Sequence, residues 1–379
     1  MSDDLSEFHD ELRTVARELL AAGSGAALDR RQLARTGWLG LEAADEYDGA
    51  EATFAEVAVI LHEFGRAAAP GPYPTVAALA ITTLEQLRPG PDRDRLLRDT
   101  VAGAATPVPV FDAELFGAQD IPAEPAPPAS GSSAATDSLP IVRSVTPFRL
   151  VYEADRVNVS GTADFVLDAP EADRLLLLAA DDSGIPVVVP VDPSAPGLTV
   201  TTRPVVDLTR SIATVSAEDV AVEQVWRFVD NPYEALRYLR DRAAVAVACD
   251  SLGLSEAMLD ATVDYARVRE QFGRPIGSFQ AVKHACADML VQITIARKLI
   301  DAAIRGLTDE SADGAAAAMA KSYACTAAVD IVGKAMQLHG GIGYTWESGI
   351  HTYLKRALLN RSLYGAPADH RRRLSRRYA

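Results

Sequence analysis

Cysteine is rare in this sequence, and its spacing is unlike that of two common kinds of site. The 379 residues include only Cys249, Cys286 and Cys325, each within a stretch rich in alanine, leucine and valine. None belongs to a CxxC pair or lies at ligand spacing from a histidine, as zinc and redox centres require. The sequence therefore predicts no metal site, and we expect the three thiols to be buried as small hydrophobic side chains.

Positive charge and long apolar runs are also scarce. Lysine and arginine number 37 against 52 aspartates and glutamates, which gives a formal charge of −15 and a pI near 4.9. Such a protein is repelled by nucleic acid and by anionic membranes, so small molecules or proteins are the expected partners. No run of about 18 uncharged apolar residues occurs, and the acidic start of the chain lacks the apolar core of a signal peptide. We expect a cytoplasmic protein.

The sequence contains three regions that differ in their pattern of apolar residues. Apolar residues recur at helical spacing over 6–66, and a second helical stretch is predicted at 75–87. Short runs rich in valine, leucine and threonine follow, bounded by Asp, Gly and Pro, and they predict strands at 149–152, 156–159, 174–179, 186–191 and 198–206. Beyond 231 the pattern is helical again, and its length requires partner helices in a bundle.

These textures predict an α+β protein with three domains. An N-terminal helical domain is expected at 1–105, a middle β domain at 106–228 and a C-terminal four-helix bundle at 229–379. The segment 122–140 is rich in Pro, Ala and Ser with no periodicity, so we expect a flexible loop there.

Two motifs in the last third go beyond architecture. They are YARVREQFGRPIGSFQ at 265–280 and QLHGGIGYTWE at 337–347. Both closely resemble the C-terminal signatures of acyl-CoA dehydrogenases. Weaker support comes from ARTGWLGL at 34–41, EYDG at 46–49, HEFGR at 62–66 and DLTR at 207–210, so the resemblance covers nearly the whole chain.

The resemblance implies a flavin adenine dinucleotide (FAD) whose adenine and pyrophosphate end is held by a neighbouring subunit. The positions that match this part of the family's site are Arg269, Gln271, Phe272, Gln280, Gln337, Gly340 and Gly341. Their chemistry suits the role: a guanidinium pairs well with a pyrophosphate, amides add hydrogen bonds, and glycines let a ligand approach the backbone. Taken singly, Arg269 would more often be a solvated arginine at a helix end, and Gly340 with Gly341 a helix C-cap.

The residues that the family's reaction needs are missing. That reaction requires a carboxylate to remove the α proton of an acyl thioester. The resemblance puts Tyr364 at the usual glutamate position and Ala243 at the alternative position used by other branches. A phenol with a pKa near 10 is a poor base at neutral pH. No catalytic residue is therefore assigned, and His339 and His351 are expected to have packing or surface roles.

The motif expected on the flavin side of the β domain is also changed. GTADFVLD at 161–168 matches the family's G-x-K-x-W-I-T-N, but Phe165 replaces Trp and Leu167 replaces the Thr whose hydroxyl binds the flavin ring. The alternative is a divergent loop that still binds flavin through backbone groups.

The losses fall on the catalytic half-site, whereas the residues lent across a subunit interface are kept. The pattern resembles the degenerate subunit of actinobacterial heterotetrameric (α2β2) acyl-CoA dehydrogenases, which act on acyl-CoA with bulky tails such as steroid side chains. The resemblance implies a catalytic partner chain, an acyl-CoA substrate and electron-transfer flavoprotein, with an emptied half-site that leaves room for a large substrate. The alternatives are a homo-oligomeric flavin monooxygenase or lyase on the same fold, and a flavin-free acyl-CoA binding scaffold.

Overall fold

Along the described chain, a central sheet region is preceded and followed by helices. The computed structural model describes residues 2–22, 27–118, 120–122, 145–153, 156–308 and 314–376. Except at Pro122, the loop predicted at 122–140 lies outside these residues. The described part confirms the α+β class and the order of helices, sheet and helices.

The N-terminal helices are α1 (Ser2–Ala22), α2 (Arg30–Arg35), α3 (Phe54–Arg66), α4 (Tyr73–Thr75), α5 (Ile81–Glu85) and α6 (Pro91–Val101). A π-helical segment, Val76–Ala80, joins α4 to α5. Local sequence sets where α3 begins: Thr53 and Glu56 form a capping box, each side chain bonding to the backbone of the other.

The middle region holds β1 (Pro107–Val110), α7 (Leu115–Ala118), β2 (Phe148–Glu153), β3 (Arg156–Leu167), β4 (Arg174–Ala180), β5 (Pro186–Val191), β6 (Leu198–Thr202) and β7 (Ile212–Ala221). The seven strands form one sheet in the order β1-β4-β2-β3-β7-β6, with β5 also pairing with β4. β1 and β2 run parallel to β4, and the other pairs are antiparallel. The sequence did not predict β1 or β7.

The C-terminal helices are α8 (Pro232–Val268), α9 (Gln280–Thr308), α10 (Ala315–His339), α11 (Ile350–Ser362) and α12 (Pro367–Arg376). Helices α8 to α11 pack as the predicted bundle, and α12 packs on α10. The buried stripe of α9 consists of Met289, Ile293, Ala296, Ile300 and Ala303, all predicted from their spacing. No helix of the described residues is both long and apolar enough to cross a bilayer.

The two helical regions share one hydrophobic core, whereas the sheet has a second core of its own. Helices α3 and α8 approach closely through two glycines: a Cβ on Gly65 would lie 2.0 Å from the Asp250 carbonyl oxygen, and one on Gly253 2.0 Å from that of His62. The boundaries at 105/106 and 228/229 stay a prediction.

Candidate functional site

The first motif forms a hairpin at the end of α8. Strands β8 (Glu270–Gln271) and β9 (Arg274–Pro275) pair across a two-residue turn in which Phe272 and Gly273 have φ of 53° and 75°. The Arg269 N–H donates to the Tyr265 carbonyl at 2.9 Å, and its carbonyl accepts from the Ile276 N–H at 2.7 Å. The backbone is thus fixed, while the side chains of Arg269 and Gln271 are exposed to solvent.

Phe272 is the most exposed large apolar side chain of the hairpin, at 92%. Its ring meets that of Phe279 edge to face at a centroid distance of 6.1 Å, and Gln280 follows as the exposed first residue of α9. A bulky residue with positive φ is strained, and an exposed phenyl ring gains nothing from water. Phe272 therefore suits a position that another molecule covers.

The second motif lies at the end of α10. Gln337 is exposed in the last turn, and the N–H of Gly340 donates to its carbonyl. Gly340 has φ 62° and ψ −141°, which favours glycine, and a Cβ added at Gly340 or Gly341 would meet nothing within 4 Å. The backbone here is therefore open to close approach by another molecule, and the predicted role of these glycines stays a prediction. At Gly343, in contrast, a Cβ would lie 2.5 Å from the Met336 carbonyl oxygen.

A ring pair joins the two motifs. Tyr265 stacks on His339 with centroids 4.5 Å apart and planes 20° apart, which ties the end of α8 to the end of α10. His339 is buried, and its Nδ1 lies 2.8 Å from the Ala335 carbonyl oxygen, so it has the expected packing role. No role was predicted for Tyr265, although it lies one helical turn before Arg269 and so near the hairpin.

The two candidate base positions line one small cavity. Tyr364, Ala243 and Leu167 all border a space of about 20 Å³, which is room for roughly one water molecule. Tyr364 is only 5% exposed. Burial, and then the charge of Asp168, raise the pKa of its phenol well above the usual value, so it is neutral. Neither candidate position supplies a base.

The segment that follows β1 closes this cavity. The Tyr364 N–H donates to the Ala113 carbonyl at 2.6 Å, and a Cβ on Gly117 would lie 1.8 Å from the Tyr364 carbonyl carbon. His370 Nε2 donates to the Tyr364 carbonyl at 2.9 Å. These contacts hold Tyr364 at a φ of 54°. The cavity that remains is small, and the expectation of an emptied half-site stays a prediction.

One carboxylate lines the cavity, but it is fully engaged. Asp250 accepts from Arg356 Nε at 3.0 Å and from Arg356 Nη2 at 2.5 Å. Arg210 Nη2 donates to it at 3.1 Å and Asn360 Nδ2 at 2.6 Å. Burial alone would raise the pKa of Asp250, but Arg356 and Arg210 lower it below the usual value. A carboxylate with four donors and a lowered pKa serves structure and is a poor proton acceptor.

A second buried carboxyl group, Asp168, lies next to this network. Thr75, which lines the cavity, donates to its Oδ2 at 2.5 Å. Burial raises the pKa of Asp168 to about 6. No sequence pattern predicts this network, because its members come from five separate segments of the chain and no local spacing connects them.

Other predicted features take structural roles. Arg373 pairs with Asp241 at 2.9 Å and Arg376 pairs with Asp120, so the basic C-terminal helix folds back on its own chain. Cys249 and Cys325 are buried as expected, but Cys286 is only half-buried.

Comparison with known proteins finds family matches in both helical regions of the chain. A family model described as "Acyl-CoA dehydrogenase, N-terminal domain" matches residues 3–103, and one described as "Acyl-CoA dehydrogenase, C-terminal domain" matches residues 236–379. The acyl-CoA dehydrogenase IpdE2 of Mycolicibacterium smegmatis is 42% identical over 136 residues, which are 36% of this chain and 42% of that protein. The chain thus matches less than half the length of that relative.

Solved structures agree over a longer span. A steroid acyl-CoA dehydrogenase variant described as Tcur3481-Tcur3483 superposes with a TM-score of 0.80 at 27% identity, covering 98% of this chain and 97% of that one. The ChsE4-ChsE5 complex from Mycobacterium tuberculosis gives a TM-score of 0.77 at 22% identity, over 97% and 96% of the two chains. At that identity the second likeness shows the fold alone.

Proposed function

Because this chain belongs to the acyl-CoA dehydrogenase family, we propose that it is the non-catalytic subunit of a two-chain, flavin-dependent acyl-CoA dehydrogenase. It supplies the adenine and pyrophosphate end of a FAD site whose reactive part belongs to a catalytic partner in an α2β2 assembly. The bound flavin would accept the two electrons released by α,β-dehydrogenation of an acyl-CoA thioester.

The hairpin and the end of α10 fit the nucleotide end of FAD. Arg269 offers an exposed, permanently charged guanidinium to a pyrophosphate, and Gln271, Gln280 and Gln337 offer exposed amides. Gly340 and Gly341 leave the backbone open to a ligand. The Tyr265–His339 stack holds the ends of α8 and α10, which carry the two motifs, close to each other. These groups would bind and orient the nucleotide, while Phe272 would make an apolar contact.

The closed cavity at Tyr364 carries the proposal. A space of about 20 Å³ cannot accommodate a flavin ring, and its two candidate base positions hold a neutral phenol and a methyl group. The one carboxylate that lines it is held by two arginines and an asparagine. In this part of the described chain no flavin ring and thioester fit together, so the reaction needs a second chain.

The relatives point to the class of partner and substrate. One similar structure is described as a steroid acyl-CoA dehydrogenase and another as a complex of two chains. We extend this to a heterotetramer that acts on acyl-CoA with a bulky or steroid side chain and passes electrons to electron-transfer flavoprotein. The space for such a tail would lie on the catalytic partner, since the cavity in this chain is filled. A cytoplasmic location is part of the same proposal.

Co-purification tests the proposal directly. The chain is produced alone and together with the acyl-CoA dehydrogenase-like protein encoded next to it, and absorbance near 450 nm, assembly mass and acyl-CoA dehydrogenation are measured. We expect a colourless, inactive chain alone and a yellow, active complex. Flavin and dehydrogenase activity in the lone chain would overturn the proposal. A complex that stays colourless would favour the flavin-free scaffold.

Two arginines of the same turn provide a matched pair of variants. Arg269→Ala removes the proposed pyrophosphate contact, whereas Arg267→Ala removes an exposed arginine that pairs with Asp264 of its own helix. We expect FAD affinity of the complex to fall by roughly tenfold or more in the first variant, the loss of about one charged hydrogen bond, and to stay unchanged in the second. Equal flavin retention in both would remove Arg269 from the site.

A further inference from the structure

The solvent-facing side of α9 exposes a group of apolar residues. Leu290, Val291 and Ile295 are 53%, 58% and 41% exposed. They point away from the buried stripe of the same helix, and the exposed residues Ala287 and Thr294 lie beside them. We call these five residues the outer stripe. Apolar side chains grouped in this way on a helix are typical of a surface that another molecule covers.

One charged residue lies near each end of the outer stripe. Asp288 follows its first residue and Lys298 lies just beyond its last one, and both are exposed. Within the described part of the chain, neither residue takes part in an ion pair. Arg297, the neighbour of Lys298, differs in this respect, because it pairs with Glu256 at 2.6 Å. Asp288 and Lys298 are therefore available to charges on another molecule.

The order of these residues is symmetric about Ile293. Val291 and Ile295 lie two residues before and after it, and Asp288 and Lys298 lie five residues before and after it. In an antiparallel pair of α9 helices centred there, Val291 of each copy meets Ile295 of the other, and Asp288 meets Lys298. A two-fold axis makes each of these contacts twice. A parallel pair would place like charges opposite each other.

We propose that α9 forms a contact between two copies of this chain, in which the outer stripes pack antiparallel and Asp288 of each copy pairs with Lys298 of the other. The helix from Ala287 to Lys298 is about 17 Å long. A contact of this length lies at the small end of specific interfaces, so we expect a weak dimer with a Kd in the micromolar range.

The overall acidity of the chain does not prevent this contact. The formal charge of the chain is −15, but α9 has four basic and two acidic side chains, so the excess of negative charge lies elsewhere. Exposed charges further away than a Debye length are largely screened at physiological salt. The contact uses none of the residues proposed for the flavin site. If the proposed function holds, it joins the two non-catalytic chains of the α2β2 assembly.

Sedimentation velocity of the purified lone chain tests the contact. We expect a monomer–dimer equilibrium between about 1 and 200 µM. Val291→Asp places a charge within each outer stripe and should leave the chain monomeric over that range. Val15→Asp introduces the same charge at a residue of α1 that is 52% exposed, and it should change nothing. A wild-type chain that stays monomeric would overturn the proposal, and so would a dimer that survives Val291→Asp.

Exchanging the two charges tests whether the partner is a second copy. Asp288→Lys and Lys298→Asp each put like charges opposite each other at both ends of the contact, so each should weaken dimerisation about tenfold or more. The double variant restores opposite charges and should return to within about threefold of wild type. Asp264→Lys, at an exposed residue of α8, is the control for net charge and should leave the dimer unchanged.

Three results of the exchange would exclude the antiparallel pairing. They are single variants that dimerise like wild type, a double variant no better than the single ones, and a control that weakens the dimer equally. A lone chain that stays monomeric while Val291→Asp weakens the two-chain complex would show that the catalytic partner covers the outer stripe, and this too would overturn the proposal.

Discussion

Single residues decide what the cavity at Tyr364 can do. Restoring a carboxyl group with Tyr364→Glu should not restore activity to the lone chain, because the cavity has a volume of only about 20 Å³ and does not accommodate a flavin ring beside a thioester. The new carboxyl would be buried near Asp168, so it would be protonated at neutral pH and cost stability, by about 3 kcal/mol. Urea denaturation and an acyl-CoA dehydrogenation assay measure both effects.

Tyr364→Phe is the control for that variant. It keeps the ring and removes only the hydroxyl, so stability should change by less than about 1 kcal/mol. Dehydrogenase activity in the isolated Tyr364→Glu chain would show that the cavity opens in solution and that the half-site is only latent.

Asp250 is the residue whose ion pairs we expect to contribute most to the stability of the network around the cavity. It is the shared acceptor of Arg356 and Arg210, whose side chains are 0% and 6% exposed. Asp250→Asn would remove the carboxylate that pairs with two buried cations, so we expect a loss of about 3–5 kcal/mol in the free energy of unfolding. Asp260 lies on the same helix but is exposed, and it forms an ion pair with Arg66. Asp260→Asn should therefore lower the free energy of unfolding by no more than about 1 kcal/mol. Equal losses, measured by denaturant titration, would contradict this assignment.

At the scale of elements, an ionic cluster fastens α3 to α8. His62 Nδ1 lies 3.1 Å from Glu63 Oε1, and its Nε2 lies 3.0 Å from Glu256 Oε2. Burial alone would lower the pKa of His62, but Glu256 and Glu63 raise it above 6.5. Burial would likewise raise the pKa of Glu256, but His62 and Arg297 lower it to about 2.

The cluster predicts a pH dependence with a definite sign. A histidine with a raised pKa stabilises the fold fully below 6.5, and this contribution is lost as pH rises through the folded pKa. Glu256 stabilises above 4.5, and its contribution is lost as pH falls towards 2. The cluster should therefore contribute most between about pH 4.5 and 6.5. Denaturant titrations of wild type and His62→Gln should converge at high pH, and a constant difference would exclude His62 as the cause.

A substitution in the hairpin β8–β9 is expected to raise the stability of the lone chain but to lower flavin retention by the two-chain complex. Phe272→Gly relieves a positive φ at the turn and removes an exposed ring, so the lone chain should gain up to about 1 kcal/mol. The same change removes the proposed apolar contact, so the two-chain complex should retain less flavin. Melting temperature of the lone chain and flavin absorbance of the complex measure the two effects. Unchanged flavin content would mean that the ring has no role in the interface.

The same scale shows where sequence patterns failed. β1 reads Pro-Val-Pro-Val, and proline speaks against a strand unless the strand lies at a sheet edge, as β1 does. β7 contains an exposed Glu218-Asp219 pair near its end, which interrupts its alternation. β3 extends eight residues beyond the predicted 156–159, because register shifts absorb irregular positions that break a simple period of two.

At the scale of the whole molecule, helices from both ends of the chain form one core and the sheet forms another. The domain division predicted from local composition and periodicity separates the two helical regions. Local patterns carry no information on which regions of the chain pack together. Close approach at Gly65 and Gly253 joins them, and the network around Asp250 ties the sheet to both.

The amino-acid pattern was enough to predict the α+β order and the buried stripe of α9, because helical period and strand composition are local properties. Only the tertiary structure decided that Tyr364 and Ala243 share one filled cavity, that Tyr265 joins the two motifs, and that Arg240 and Arg373 meet at a single carboxylate. Those outcomes depend on contacts between residues that lie far apart in the chain, and no periodicity or spacing encodes such contacts.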